Sequence, residues 1–278
     1  MAQSKPTVLI TGASSGIGAT YADRFARRGH DLVLVARDKA RMETLAARLR
    51  AETGVSVDIV VADLSESADL TRVEQRLRDD AAIGILVNNA GIAAPGGFED
   101  GDPDLMEKLI KVNVTAVTRL AAVAAKRFVA PGGGGGGGTG GGGGIGTGGG
   151  IINIASVLGL APEISIGAYS ASKSYVLTLS QSLNAELGAR GLYVQAVLPA
   201  ATRTEIWERS GRDVTKIEGV MEAGELVDAA LAGFDKRETV TIPPLPDAGQ
   251  WEAFNAARLA MLPNFRNEHA APRYKLAG

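Results

Sequence analysis

The polar residues that could do chemistry fall in a few short stretches. Tyr169 and Lys173, in YSASK, stand four residues apart, and on a helix that spacing puts both side chains on one face. An unperturbed phenol has a pKa of about 10 and is a sluggish acid at neutral pH, but an ammonium beside it favours the phenolate. A lowering of about two units is worth about 2.7 kcal/mol and turns the tyrosine into a usable acid and base. A second stretch, Thr11-Gly12-Ala13-Ser14-Ser15-Gly16-Ile17-Gly18, places three glycines between a strand and a helix, where bare N–H groups and the helix N-terminus could meet a pyrophosphate. The spacing departs from G-x-G-x-x-G, and a tight turn with no ligand explains such a stretch equally well when it is read alone. The same residues fit G-x-S-x-G with Ser14 as nucleophile. That hydrolase reading ranks third, because only eleven residues precede Gly12 to build an oxyanion loop and His269, in a Pro/Ala-rich tail, is the one histidine placed to serve. Read singly, Ser156 after a strand is a cap or turn residue, and Asn113 within a helix is a surface residue.

The elements that must position these residues alternate between short β-branched runs and longer helical patterns, each helix tending to end at a glycine. Strands are expected at Thr7–Thr11, Asp31–Arg37, Val57–Asp63, Ile83–Ala90, Ile151–Ala155, Leu192–Leu198 and Thr239–Ile242. Helices are expected at Ile17–Arg28, Lys39–Glu52, Leu105–Phe128 and Ala168–Ala189, with a charged helix before the fourth strand. Fully apolar strands belong to a sheet covered on both faces. This order predicts an α/β fold, a doubly wound parallel sheet of about seven strands with its ligand crevice at the carboxyl ends of the strands.

Composition narrows the function classes. The 278 residues are 45% hydrophobic and 22% charged with a net charge of −2, which gives no electrostatic footprint for nucleic acid or an anionic membrane. The absence of cysteine and the presence of only His30 and His269 argue against disulfides and thiolate or histidine metal sites. The polar start MAQSKP and the lack of a long apolar run predict a cytoplasmic protein.

One segment stands apart. In Pro131 to Gly150 sixteen of twenty residues are glycine, leaving 20 glycines for the other 258 residues, close to the usual frequency of about 7%. It joins a helix to a strand, so it should emerge at the amino ends of the strands, away from the crevice. It offers no side chain for chemistry and reads as a flexible insertion, 131–150.

Five motifs occur together and in order: TGASSGIG, NNAG (Asn88 to Gly91), Asn113 in KVNVTA, Ser156 in NIASV, and YSASK. From about Thr7 to Ile242 the sequence resembles the short-chain dehydrogenase/reductase family. The resemblance implies a single Rossmann-like catalytic domain over 1–278, NAD or NADP as cofactor, and hydride transfer between an alcohol and a ketone. It implies Tyr169 as general acid/base, assisted by Lys173 and the nicotinamide charge, with Ser156 bonding the substrate oxygen and Asn113 supporting a water relay to Lys173. Gly12, Ser14, Ser15, Gly16, Ile17 and Gly18 would hold the pyrophosphate. Asp63 and Leu64 would meet the adenine, although Asp63 read alone is equally a helix cap, and Asn89, Ala90 and Gly91 would form the wall beside its ribose. Arg37, at the tip of the second strand, favours NADP over NAD because a guanidinium can grip a 2′-phosphate, with Ser15 as an extra donor. Asp38 beside it is a helix N-cap candidate. Pro199 and Thr204 would border the nicotinamide, although Ala200 stands where the family often has glycine.

The same resemblance implies a small carbonyl or alcohol as substrate and a homodimer or homotetramer as assembly. Val157, Leu158, Ile206 and Trp207 flank the expected pocket and suggest an apolar substrate. Val176, Leu179, Leu183 and Leu187 could serve a dimer seam or the core. The tail 243–278 carries Trp251, Phe254, Met261, Leu262 and Phe265 at partly helical spacing, as for a helix covering the domain or a partner. The competing reading from another class is a dinucleotide-binding regulatory protein without turnover, which would need no general acid.

Overall fold

The computed structural model describes residues 5–130, 149–164, 167–205 and 213–275. Ile206, Trp207 and residues 131–148 of the glycine run lie outside the described residues. The chain divides into two compact units, 1–243 and 244–278.

In the first unit, β1 (Thr7–Thr11), β2 (Leu32–Ala36), β3 (Val57–Val61), β4 (Ile83–Asn88), β5 (Gly150–Ile154), β6 (Tyr193–Val197) and the short strand Val240–Thr241 form one sheet in the order β3-β2-β1-β4-β5-β6 followed by that last strand. Each adjacent pair is parallel. Parallel strands need crossovers, supplied here by α1 (Gly16–Arg27), α2 (Lys39–Thr53), α3 (Ser67–Asp79), α4 (Pro103–Ile110), α5 (Val117–Phe128), α6 (Gly167–Leu187) and α7 (Ala223–Asp235). Two-fold alternation along β1 sends Val8 and Ile10 into one apolar cluster with Tyr21, Phe25, Met42 and Leu231, and Leu9 into another with Val73 of α3 and Leu120 and Phe128 of α5. Burying each such side chain contributes roughly 1.5–3 kcal/mol. The sheet is thus covered on both faces, as its apolar runs predict. Leu179, Leu183 and Leu187 pack against the second cluster and Val176 is fully buried, so within the chain these positions of α6 serve the core. Among the described residues no helix is long and apolar enough to cross a membrane.

Three local departures from the sequence expectation have physical causes. The helix expected over Leu105–Phe128 starts earlier, at Pro103, with Asp102 capping the Asp104 N–H at 2.9 Å. It is interrupted by a π-helical turn over Lys111–Ala116, the wider coil that often marks a functional position. The last residue of the glycine run, Gly150, is the first of β5 and pairs with Ile85 and Tyr193. Gly149 before it has φ +69°, and a Cβ there would stand 2.7 Å from the Phe128 ring, so glycine is required at that junction. A second, two-stranded parallel sheet joins Thr202–Arg203 to Met221–Glu222, too short to leave a periodic signal.

The second unit contains α8 (Ala248–Leu259), capped by Asp247 through the Gly249 N–H at 2.8 Å. Trp251 and Phe254 rings lie 5.6 Å apart, while Phe254, Met261, Leu262 and Phe265 are exposed.

Candidate active site

The strand order reverses between β1 and β4, and the chain leaves their carboxyl ends in opposite directions, which opens a crevice. Thr11 closes the seam behind it. Its Oγ1 accepts the N–H groups of Asn89 and Ala90, both at 3.0 Å, and donates to the Val87 carbonyl at 3.3 Å. Asn89 Nδ2 donates to the carbonyls of Thr11 at 2.9 Å and Gly12 at 3.3 Å, so the NNAG stretch clamps the glycine turn. Each glycine of the turn answers a different contact. Gly12 has φ +66°, and a Cβ would stand 2.8 Å from Asn89 Nδ2. At Gly18 a Cβ would come within 2.3 Å of the Gly12 carbonyl oxygen, and at Gly16, with φ +53°, within 3.0 Å of Thr204 Cγ2.

The residues present fit a dinucleotide phosphate. Ser15 is the N-cap of α1 but makes no side-chain capping bond, and the first turn carries no acidic residue. Its N–H groups and the positive end of the helix dipole are therefore open to an anion. Ile17 packs against the first core cluster, anchoring the turn. Ser14 lines, with Arg41, Thr44 and Arg48, an open cleft of about 410 Å³ between α1 and α2. That cleft borders the glycine turn and is lined by none of Asn113, Ser156, Tyr169 and Lys173.

Arg37 lies just past β2, exposed, with Nη1 3.6 Å from Asp63 Oδ2. Burial acts to raise the Asp63 pKa, but bonds from the Ser65 hydroxyl and N–H and the charges of Arg37 and Lys108 outweigh it and hold the carboxyl below its usual range. Asp63 does not cap α3, whose N-cap is Glu66. Asp38 does cap α2, accepting from the Arg41 N–H at 3.1 Å. Leu64 turns its side chain into the second core cluster, leaving its backbone as the part that can face a ligand.

At the ends of β4 and β5 the structure brings Asn113 and Lys173 together at Gly91, with Tyr169 beside Lys173. Asn113 is 1% exposed. Its Oδ1 accepts the Ile92 N–H and its Nδ2 donates to the Ile92 carbonyl, both at 2.9 Å, and Nδ2 also reaches Ser172 Oγ at 3.2 Å. A Cβ at Gly91 would stand 3.4 Å from Asn113 Oδ1 and 3.5 Å from Lys173 Nζ, so this glycine faces both. Lys173 Nζ donates to the Ile154 carbonyl at 2.8 Å and lies 5.6 Å from the centre of the Tyr169 ring. Tyr169 is half-buried, and its hydroxyl makes no hydrogen bond among the described residues.

The electrostatics differ from the sequence expectation of a lowered phenol pKa. Burial pushes Tyr169 up to about 12 and Lys173 down to about 8. Low-dielectric surroundings penalise the charged form of each, and the ammonium is directed at the Ile154 carbonyl, not at the phenol oxygen. Ser156 is buried at the end of β5. Its Oγ accepts the Leu158 N–H at 3.2 Å and donates to the Pro199 carbonyl at 3.3 Å, which brings Pro199 to the same end. Val157 and Leu158 are half-buried in the 3-10 turn that follows.

Sequence reasoning left Asn153, Ser180 and Phe98 unnamed. Asn88 Nδ2 donates to Asn153 Oδ1 and Asn153 Nδ2 to Ser180 Oγ, each at 2.9 Å, a buried polar chain from β4 through β5 to α6. An asparagine in the middle of the apolar run IINIA was the available signal. Phe98, 78% exposed, packs over Gly167 at the start of α6, where a Cβ would stand 3.2 Å from the ring. Nothing in the sequence near Phe98 announced that contact.

Comparison with known proteins gives consistent findings. The family model described as short chain dehydrogenase matches residues 6–215. A short-chain dehydrogenase from Sphingobium yanoikuyae, solved in complex with NADPH, is 58% identical over 97% of this chain and 100% of that one, with TM-score 0.89. The bulky-bulky ketone specific alcohol dehydrogenase from Comamonas testosteroni is 51% identical over 98% of this chain and 99% of that one, with TM-score 0.85. The very-long-chain 3-oxoacyl-CoA reductase of Anas platyrhynchos is 34% identical over 71% of this chain, which spans 60% of that relative's length.

Proposed function

The chain belongs to the short-chain dehydrogenase family, and on that footing we propose that it is an NADP-preferring oxidoreductase moving a hydride between the dinucleotide and a ketone or secondary alcohol. The observation that carries this reading is the placing of Asn113 and Lys173 at Gly91 with the Tyr169 ring 5.6 Å from Lys173 Nζ, beside a glycine turn whose helix has no side-chain cap at its N-terminus. A bound nicotinamide supplies or accepts the hydride. Gly12, Ser14, Ser15, Gly16, Ile17 and Gly18 would hold the pyrophosphate, and Arg37 would grip the 2′-phosphate. Asp63 and the Leu64 backbone would meet the adenine, Asn89, Ala90 and Gly91 would line its ribose, and Pro199 and Thr204 would border the nicotinamide.

Tyr169 hands its proton to the carbonyl oxygen as charge develops there and takes it back in the reverse direction. Lys173, with its pKa near 8, is protonated at neutral pH and stabilises the phenolate that the transfer leaves. The long bond from Ser156 to the Pro199 carbonyl is one the hydroxyl can exchange for the substrate oxygen, placing a preorganised donor where negative charge appears. Asn113, whose Oδ1 and Lys173 Nζ both lie beside Gly91, would support a water relay that returns protons to the lysine.

The substrate we propose is a bulky, apolar ketone or the corresponding alcohol. Val157 and Leu158 beside Ser156 support an apolar wall, and the 51% identical neighbour is named for bulky-bulky ketones. We further propose a cytoplasmic homodimer or homotetramer, and a single catalytic domain with a C-terminal tail. The test is absorbance loss of NADPH and of NADH across a panel of ketones and aldehydes graded by bulk. Faster consumption of NADPH with bulky apolar ketones supports the reading, and no consumption of either cofactor with any carbonyl sinks it.

A further inference from the structure

α6 carries three serines around the two residues proposed for proton transfer, Ser170, Ser172 and Ser174, and they differ in what they touch. Ser172 is 3% exposed, one turn beyond Tyr169 and adjacent to Lys173. Its Oγ donates to the Tyr169 carbonyl at 2.7 Å. A serine bonding back within its own helix is commonplace and by itself marks nothing. The second bond is different, because Ser172 Oγ also accepts from Asn113 Nδ2 at 3.2 Å, across 59 residues of sequence. Asn113 is in turn tied at both ends of its amide to the Ile92 backbone.

We propose that Ser172 is a positioning residue that locks the first turn of α6, and with it Tyr169, to the π-helical turn bearing Asn113. The proposal rests on the reading of Tyr169 as the proton donor. The hydrogen bonds run from the loop after β4 at Ile92, through Asn113 and Ser172, to the Tyr169 carbonyl. In helix geometry that same carbonyl accepts the N–H of Lys173. The chain therefore ends on the carbonyl whose helical hydrogen bond links the backbones of the two residues whose relative placement decides proton transfer. All its side-chain members are buried, where a hydrogen bond is stronger than in water and an abandoned donor is costly. Removing the hydroxyl leaves one N–H of Asn113 without its acceptor while the helix keeps its own backbone bonds, so the phase of α6 against the π turn is what should loosen. Displacements of this kind, small against the fold, are large against the tolerance of a reacting geometry.

Ser170 provides the control. Its Oγ is buried with no hydrogen-bond partner among the described residues, so a buried serine on this helix does not by itself make a clamp.

The experiment compares Ser172→Ala, Ser172→Thr, Ser170→Ala and Tyr169→Phe in the full chain, reading kcat and KM for a ketone that the wild type reduces, NADPH affinity by fluorescence, and Tm. Ser172→Ala should lose about tenfold in kcat with KM and NADPH affinity within twofold. Ser172→Thr should keep at least half of wild-type kcat, and Ser170→Ala all of it. In an Asn113→Ala background, Ser172→Ala should cost little more, because the two act through one bond. Wild-type kcat in Ser172→Ala overturns the proposal. So does equal loss in the alanine and threonine variants, or a Ser172→Ala chain that does not fold or that loses NADPH affinity in step with kcat, since each makes the role structural. Activity in Tyr169→Phe would instead refute the reading of the site itself, whatever Ser172 does.

Discussion

Lys173 is held by Ile154: its Nζ donates to that residue's carbonyl at 2.8 Å, at the carboxyl end of β5. The bond pins a cation at the point where the sheet hands over to Ser156, and it does so at 5% exposure. A buried ammonium without a carboxylate partner among the described residues is a costly thing for a fold to keep. Here the cost is visible as the fall of the Lys173 pKa from 10.5 to about 8.

That fall has a measurable sign. The unfolded chain protonates Lys173 with an ordinary lysine pKa, 10.5, whereas the folded chain does so near 8. Between those values the unfolded state binds more protons, so unfolding free energy rises with pH, and below about pH 8 the dependence vanishes because both states are protonated. Urea denaturation at pH 8, 9 and 10 should show the wild type gaining up to about 2 kcal/mol relative to Lys173→Met. Parallel curves for the two proteins would show that the lysine is not burdened in this way.

The glycine turn should tolerate no side chain at Gly18. A Cβ there would stand 2.3 Å from the Gly12 carbonyl oxygen and 2.5 Å from Asn89 Nδ2, so backbone must move. Gly18→Ala should cost about 1–3 kcal/mol in stability and at least tenfold in NADPH affinity. Gly29→Ala is the comparison: Gly29 has φ +78° with nothing within 4 Å of a Cβ, so it should cost about 1 kcal/mol and leave affinity alone. Melting curves and fluorescence titration read both quantities. Unchanged NADPH binding in Gly18→Ala would remove the turn from the site.

Arg37 should govern cofactor choice and little else. It is exposed, and its contact to Asp63 at 3.6 Å is a long surface pair of the kind worth at most about 1 kcal/mol. Arg37→Ala should raise KM for NADPH at least tenfold and for NADH less than twofold, with Tm nearly unchanged. Steady-state kinetics with both cofactors decide it, and equal effects on the two would refute a bond to the 2′-phosphate.

Sequence alone revealed the parts of the molecule that repeat a simple rule. Apolar β-branched runs located β1 through β6, and the glycines at 12, 16 and 18 announced close approach because nothing larger fits there. The motif residues at the strand ends told where chemistry would gather. What stayed hidden depends on contacts between distant segments. The π turn at Asn113 is coupled to bonds with Ile92, 21 residues away, and no helical pattern encodes it. Thr11 reads as the end of a strand, yet its hydroxyl fixes Asn89 and Ala90. The opposed pKa shifts of Tyr169 and Lys173 follow from burial, which spacing along a helix does not report.

The central claim is that Tyr169 is the proton donor for hydride transfer, and one substitution tests it most directly. Tyr169→Phe removes the hydroxyl and keeps the ring that packs 5.6 Å from Lys173 Nζ. Single-turnover oxidation of bound NADPH by a ketone, with NADPH affinity measured on the same protein, should fall by at least about a thousandfold in rate while affinity stays within twofold. Hydride transfer at more than a tenth of the wild-type rate in a variant that binds NADPH normally would contradict the account.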